Sequence, residues 1–524
     1  MEYLESSDAP DDLPEGWCWA KLAEIVSKPK ADIVDGPFGS DLKASEYVKE
    51  GVPIIRLQNV DRNRFIGKNI RHISDKKAKE LIRHNFKPGD VVVTKLGDPL
   101  GKACIVPEGF GPGIVVADIV RIRLNHTFCS IPYLVYAINS QAVIGQFFQH
   151  IKGTTRPRVN LGVIRSLMIP LAPLSEQKRI VAKVEELLRR VNSVRERLAR
   201  VQTILKRFRQ SVLSAACSGR LTAEWREKQE KITPVELTIK EILELREKES
   251  SHYNPSSRNY RRPQDVDLGD LPDLPENWKY VSAGSLFTFV TSGSRGWAKY
   301  YSPSGPIFIR IGNLDHDSIS LDLRGIRCVD PPTGKEQRRT RVQLGDILIS
   351  ITADVGMTAL VQHEIGEAYI NQHIAIARPV TGLFRPYLAW YLVARDGGQA
   401  QFQKLQRGAT KVGLGLDDIK SVPVAFAPLE EQYEIVRRLE ALFTMADTIE
   451  KRLASASHRT EKIQQSILGK AFRGELVPTE AELARREGRS YEPASSLLTR
   501  IKGERDIPGA FASKRRRKRV SNKT

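Results

Sequence analysis

The string Gly97-Asp98-Pro99-Leu100-Gly101-Lys102-Ala103 carries the ingredients of a phosphate-cradling loop, in which backbone N–H groups hold phosphates beside a Lys and a Mg²⁺-binding hydroxyl. Its spacing does not suit that task. Three residues separate the glycines instead of four, and Ala103 stands where a Ser or Thr is required, so the segment reads as a Gly-rich β-turn. Asp330-Pro331-Pro332 resembles the motif that holds an amino nitrogen for methyl transfer, but Thr333 follows where an aromatic ring should stack on a flipped base. No glycine-rich cofactor strand precedes it, and a proline turn accounts for it. Asp90 and Asp346 recur at matched places as paired carboxylates would, yet each follows a Gly and opens a strand, where Asp caps a turn. The nine His include no HExxH, and Cys18, Cys104, Cys129, Cys217 and Cys328 are too scattered for a metal-ligand pair or a disulfide framework. This lack of catalytic grammar points to a binding protein.

The residues suited to binding an acidic polymer lie in KGTTRPRVN (152–160) and RGATKVGLG (407–415). Gly permits close backbone approach, and Thr154, Thr155 and Thr410 can donate to phosphate. Arg156, Arg158, Arg407 and Lys411 can neutralise phosphates or read guanine edges. Each of these segments also reads as a basic solvent-exposed loop. Arg56 with Asn59, and Arg310 with Asn313, flank apolar strands and are open to scaffold hydrogen bonding or base contact. Lys95 and the aromatic-containing GPFGSDL (36–42) are further candidates.

The overall charge agrees. Lys and Arg number 82 against 62 Asp and Glu, a formal net charge of +20, which favours nucleic acid as partner. The tail SKRRRKRVSNKT contributes seven of these charges, and removing it leaves 20 − 7 = +13. No stretch approaches the roughly 18 apolar residues of a membrane span, and the acidic start MEYLESSDAPDD lacks the apolar region of a secretion signal. A soluble protein of the reducing cytoplasm is expected.

The elements that must position these loops occur twice. IPLAPLSEQKRIVAKVEELL (169–188) returns as VAFAPLEEQYEIVRRLEALF (424–443), so that Glu176 and Gln177 recur as Glu431 and Gln432, 255 residues on. LPEGW (13–17) recurs as LPENW (274–278), and SVLSAACSGRLT (211–222) as SILGKAFRGELV (466–477). At the tail of each copy, Pro234, Ile239, Ile242 and Arg246 correspond to Pro493, Leu498, Ile501 and Arg505. A period this long is a duplicated domain, not a solenoid repeat. The text before each PL-x-EQ motif is a run of short β-branched stretches broken by Gly and Pro, with an amphipathic stretch around Tyr133 to Phe148; the second copy repeats the pattern in 346–351 and 387–393. Outside the framework positions the copies share little, as two heads with two different targets would require.

After each head an apolar stripe steps by four and three: Leu187, Val191, Val194, Leu198, Val201, Leu205, Phe208 and Val212, then Leu439, Leu442, Ile449, Leu453, Ile463 and Ile467 with smaller residues between. Acidic residues follow a Pro at both starts, where the helix dipole favours them. At 1.5 Å per residue a 40-residue helix spans about 60 Å. Such seams are too long for one small head to cover, and they pair most simply with each other, antiparallel. The expected fold is α+β: two mainly β heads, each followed by a long α-helix, with the helices in an antiparallel coiled coil. The boundaries read as a tail (1–12), first head (13–173), first helical region (174–222), linker with a short docking helix (223–273), second head (274–428), second helical region (429–476), C-terminal extension (477–508) and a basic tail (509–524).

The PL-x-EQ helix starts, LKRFRQSVLSAACSGRLT (205–222), QSILGKAFRGEL (465–476) and the duplicated head-plus-helix plan resemble the DNA-specificity subunit of type I restriction-modification systems, over about residues 13 to 505. The resemblance implies that each head is a target-recognition domain reading one half of a bipartite, asymmetric site in double-stranded DNA. It implies helices that set the spacer and dock two methyltransferase subunits, with two motor-nuclease subunits in the full complex. The chain itself would be non-catalytic and bind no cofactor, S-adenosylmethionine, ATP and Mg²⁺ belonging to the partners. A self-sufficient methyltransferase would need the cofactor loop lacking here, and a coiled-coil adaptor would leave two divergent basic heads unexplained.

Overall fold

Pro173 and Pro428 each separate a strand from a long helix, and both helices close on a glycine with positive φ, Gly219 at 71° and Gly474 at 75°, the left-handed end that glycine adopts without steric penalty. In the computed structural model, which describes residues 12–97, 99–125, 127, 129–150, 157–253, 266, 269, 271–407 and 413–506, these helices are α1 (Leu174–Cys217) and α3 (Leu429–Phe472), 44 residues each. Two shorter helices, α2 (Val235–Tyr253) and α4 (Ala494–Asp506), follow them. The chain divides into two units, one of residues 1–198 with 455–524 and the other of residues 199–454.

In the first unit β1 (Ile33–Asp35), β2 (Val91–Thr94), β3 (Ala103–Ile105) and β4 (Ile119–Ile122) form an antiparallel sheet in the order β3-β2-β4-β1. Every residue of β2 is buried, which is why Val-Val-Val-Thr shows no polar alternation. A second, five-stranded sheet pairs Val52–Ile55 in parallel with Gly113–Val115. The amphipathic stretch from Tyr133 to Phe148 is two helices, Ile131–Ile138 and Gln141–Phe148, broken where the buried Asn139 amide accepts from Ala103 N and donates to Ala103 O.

The second unit repeats this plan. β5 (Phe287–Ser292), β6 (Ile347–Ser350), β7 (Thr358–Leu360) and β8 (Ile374–Pro379) stand in the order β5-β8-β6-β7, which matches β1-β4-β2-β3 strand for strand. A smaller sheet pairs Tyr301–Ile309 in parallel with Ala368–Ile370. The apolar run at 387–393 lies in a helix, Arg385–Val393, whose Tyr387 hydroxyl donates to Ala425 O as Tyr133 donates to Pro170 O. Asp90 and Asp346 open their strands as turn caps, accepting from Lys87 N and Gln343 N, and each is buried against an arginine, Arg123 or Arg378.

Within the first unit, Ile180, Val184, Leu188 and Val191 from the beginning of α1 share a core with Ile467, Leu468, Ala471 and Phe472 from the end of α3. Within the second, Val212, Leu213 and Ala216 from the end of α1 share one with Ile435, Val436, Leu439 and Phe443 from the beginning of α3. Beginning meets end in both, so the helices pair antiparallel. Of the residues expected in the seam, Val191, Leu205, Leu439, Leu453 and Ile467 are buried, and Leu187, Leu198, Val201, Phe208, Leu442 and Ile449 are half-buried. Two expected seam residues are not in it: Val194 is 46% exposed and Ile463 51%. A helix has 3.6 residues per turn, so a strict seven-residue stripe drifts around it. At this level the contact is polar instead, with Arg195 donating to Gln464 Oε1 at 3.2 Å.

The repeated tails dock alike. In the second unit Arg246 of α2 donates through Nε to Phe287 O at 3.0 Å. In the first, Arg505 of α4 donates to the carbonyls of Ala23 and Glu24, at 2.9 and 2.7 Å, and to Val26 O. No helix among the described residues is long and apolar enough to cross a membrane.

Candidate nucleic-acid interface

β1 and β2 both run antiparallel to β4, so they run in the same direction and end at one edge of the sheet. At that edge Asp35 meets Lys95, Oδ2 to Nζ, at 2.5 Å. The chain after the first basic loop returns to the same place: Val159 N donates to Lys95 O at 3.0 Å, Gly97 N donates to Pro157 O at 3.1 Å, and Leu96 and Arg158 form an antiparallel bridge. Arg158 is anchored by Asp118 at 2.6 Å with about half of its side chain still exposed.

The second unit builds the equivalent edge at the ends of β5 and β6, both antiparallel to β8. Leu414 N donates to Ile351 O at 2.9 Å, and Thr352 bridges Gly413. Arg407 and Gly413 exchange two backbone hydrogen bonds of 3.1 Å, closing the base of the second basic loop. The Arg407 guanidinium meets Asp418 Oδ1 at 2.8 Å while 80% of its side chain stays exposed. The Asp418 Oδ2 accepts Gly415 N at 2.7 Å, so one carboxylate caps the following helix and anchors the arginine. Both basic loops are thus held at matching strand ends, with one arginine at each base tied by a carboxylate and open to solvent.

Other candidates belong to the scaffold. Asn59 is buried, its Oδ1 accepting Arg56 N at 3.0 Å and its Nδ2 donating to Ile66 O and Lys68 O at 2.9 and 3.1 Å. Asn313 repeats this, accepting Arg310 N at 2.8 Å and donating to Asp322 O at 2.7 Å. Each amide closes a short turn in place of backbone partners, and burial keeps it from a base. Arg56 is half-buried and donates to Asn69 O at 2.6 Å; Arg310 is half-buried at the matching position. Lys95 is largely covered and paired with Asp35, so it braces the edge and does not project from it. Thr154, Thr155, Arg156, Thr410 and Lys411 lie outside the described residues.

Residue typing alone did not single out Arg295, which stands exposed in Gly293-Ser294-Arg295-Gly296 directly after β5. Its signal is the spacing: Gly36-Pro37-Phe38-Gly39 directly follows β1, 257 residues earlier. Among the described residues no group of three or more His, Cys, Asp or Glu is placed to hold a metal ion.

The domain described as "Type I restriction modification DNA specificity domain" matches residues 22–203 and again 275–456. The specificity subunit of the type I restriction enzyme EcoBI of Escherichia coli is 27% identical over 496 residues, covering 91% of this chain and 92% of that protein. The EcoKI specificity subunit of Escherichia coli strain K12 is 26% identical over 540 residues, covering 96% and 99%. A solved chain from a study of assembly and conformational transition of the type I R-M system superposes with a TM-score of 0.60 at 22% identity, over 89% of this chain and 100% of that one, and so shares the fold. With two matched domains spanning more than half of its length, the chain belongs to the family of type I restriction-modification DNA specificity subunits, whose members are non-catalytic and leave catalysis to partner subunits.

Proposed function

We propose that this chain gives a type I restriction-modification complex its sequence specificity, each head reading one half of a bipartite, asymmetric site in double-stranded DNA. The observation that carries this reading is the matched sheet edge. Two divergent heads hold a basic loop on the same framework hydrogen bonds, Val159 to Lys95 in one and Leu414 to Ile351 in the other. Arg158 and Arg407 supply phosphate contact there, joined by Thr154, Thr155, Arg156, Thr410 and Lys411 of the loops. The charge of +20 supports an electrostatic encounter with the duplex.

The paired helices, of 44 residues each, set the unspecified gap between half-sites, about one helical turn of DNA centre to centre. They also present the docking surfaces for two methyltransferase subunits, and two motor-nuclease subunits complete the assembly. The methyl donor, ATP and Mg²⁺ are bound by those partners, in the cytoplasm.

Co-expression with the cognate methyltransferase subunit, followed by genome-wide mapping of methylated adenines, tests the reading. A split motif with a fixed gap is the expected result. A stable complex that leaves no such motif would overturn it.

A further inference from the structure

Both heads send one short loop out of the edge strand of the four-stranded sheet, and the two loops leave it alike. Gly36 N donates to Ile119 O at 3.1 Å and Gly293 N to Ile374 O at 3.0 Å. A Cβ on Gly36 would lie 2.0 Å from the Val116 backbone, and a Cβ on Gly293 2.0 Å from the Asn371 backbone. No other residue fits at either position, so the exit of each loop is locked. The next residue, Pro37 or Ser294, is buried; the one after it, Phe38 or Arg295, is exposed; and an exposed glycine, Gly39 or Gly296, follows. Each loop therefore presents one large side chain at the same place on the same framework, an aromatic ring in one head and a guanidinium in the other.

The place is significant. Asp35, the residue before Gly36, is the partner of Lys95, whose carbonyl accepts the chain returning from the first basic loop. Ser294 bridges Asn371, and Ile351 N donates to His373 O beside the strand end where the second basic loop returns. Phe38 is 77% exposed, and the structure gives its ring no aromatic neighbour among the described residues. Arg295 has no ion pair among them. A single exposed apolar residue is ordinary on a protein surface. What sets this one apart is that its counterpart is an exposed guanidinium while the strand exit just before both is the same. That is the pattern expected where a common scaffold is fitted to two different targets.

We infer that Phe38 and Arg295 are equivalent base-reading residues, Phe38 lying against a thymine methyl group in one half-site and Arg295 donating to the O6 and N7 of a guanine in the other. An apolar ring suits the thymine methyl group and a guanidinium fork suits the two acceptors of guanine in the major groove. The inference rests on the reading that each head binds a DNA half-site.

The test is selection of bound duplexes from a randomised pool by the full chain in complex with its methyltransferase subunit. R295A and R295K are each expected to lose a guanine preference at one position of one half-site, by roughly five- to hundredfold, with the other half-site and the gap unchanged. R295K keeps the charge and loses the bidentate fork, so it separates base reading from phosphate attraction. F38A is expected to lose a thymine preference at one position of the other half-site, and F38R to introduce guanine there. Both side chains are exposed, and an unchanged thermal unfolding temperature shows that the variants fold. A wild-type split motif that R295A and F38A leave intact, or that R295A weakens equally for all sequences, would overturn the inference. Failure of the wild-type complex to select any split motif would overturn the DNA-reading function with it.

Discussion

Trp17 and Glu176, 159 residues apart in the chain, are joined by a 2.9 Å hydrogen bond from the indole Nε1–H to the carboxylate Oε1. Trp278 and Glu431 repeat it at 2.8 Å. In each unit the tryptophan of the LPExW motif thereby grips the first turn of a long helix. The same motif meets the end of the other helix: a Cβ on Gly474 would lie 2.4 Å from Pro14 Cγ, and one on Gly219 2.6 Å from Pro275 Cγ. Each junction gathers the start of one long helix and the end of the other around a Pro and a Trp. That arrangement requires the helices to run antiparallel and leaves glycine as the fitting residue at both helix ends.

The two junctions are satisfied differently, which gives a first prediction. Glu431 is fully buried and meets Arg226, whose guanidinium donates to it at 2.7 Å and to Gly219 O at 2.6 Å. Removing the cation leaves a buried carboxylate with the hydrogen bonds of Trp278 and Thr222 but no opposite charge. R226A is expected to destabilise the second unit by about 3 kcal/mol, measured as a loss of denaturant midpoint. A shift near zero would show that water replaces the arginine there.

Among the described residues no such arginine lies on the oxygens of Glu176, which accept the Trp17 indole N–H and Glu480 N. Burial pushes its carboxyl pKa up, as it does for Asp346 despite Arg378. A carboxyl whose folded pKa lies above its unfolded value binds its proton more tightly when folded. Its contribution to stability is fully present below the ordinary carboxylate range and is lost as pH rises through that range to the folded value. Stability should therefore gain from these two groups on mild acidification from neutral pH, and E176Q should flatten that gain. A Gln variant with the wild-type slope would remove Glu176 as its source.

The seam predicts a contrast between neighbours on one helix. Leu453 is buried, whereas Ile463 is half exposed. L453D is expected to cost several kcal/mol, because an unpaired charge would be buried, and I463D less than about 1 kcal/mol. Chemical unfolding of the two variants side by side decides the matter. Equal costs would mean that Ile463 is covered after all.

The Arg407 anchor yields a prediction about binding. With most of its side chain exposed and one end tied to Asp418, R407A should weaken duplex binding for all sequences alike. It should also reduce the slope of log affinity against log salt by roughly one. R156A should do the same from the first head. Loss of assembly with an unchanged salt slope would place these arginines in scaffold roles.

The docked tail can be tested separately. Arg505 donates to successive carbonyls at 23 and 24, and α4 buries Ala494, Leu497 and Ile501 in the first unit's core. Truncation before Pro493 should lower the stability of the first unit and leave the melting of the second in place. Coincident loss of both transitions would contradict that expectation.

Local chemistry in the sequence determined a good deal by itself. The 255-residue shift, the Pro before each long helix, the four-three stripe and the acidic first turns are short-range or periodic signals, and they specify duplicated α+β heads and antiparallel seams. The turn-capping role of Asp90 and Asp346 was also legible, since Gly-Asp before an apolar run carries its own hydrogen-bonding logic. Tertiary structure alone decided the rest. Asn59 and Asn313 read as base contacts or scaffold on residue type, and only the placement of the carbonyls at 66, 68 and 322 made them scaffold. Lys95 became a brace because β1 ends beside β2 and brings Asp35 to it. Val194 and Ile463 left the seam because helical drift accumulates over tens of residues and is resolved only when a partner such as Gln464 is in place. Phe38 and Arg295 are counterparts because both loops leave equivalent strands, β1 and β5. Hydrogen-bond partners distant in the chain carry no signal in sequence spacing, and they decide which polar residues are consumed by the fold and which remain to meet a ligand.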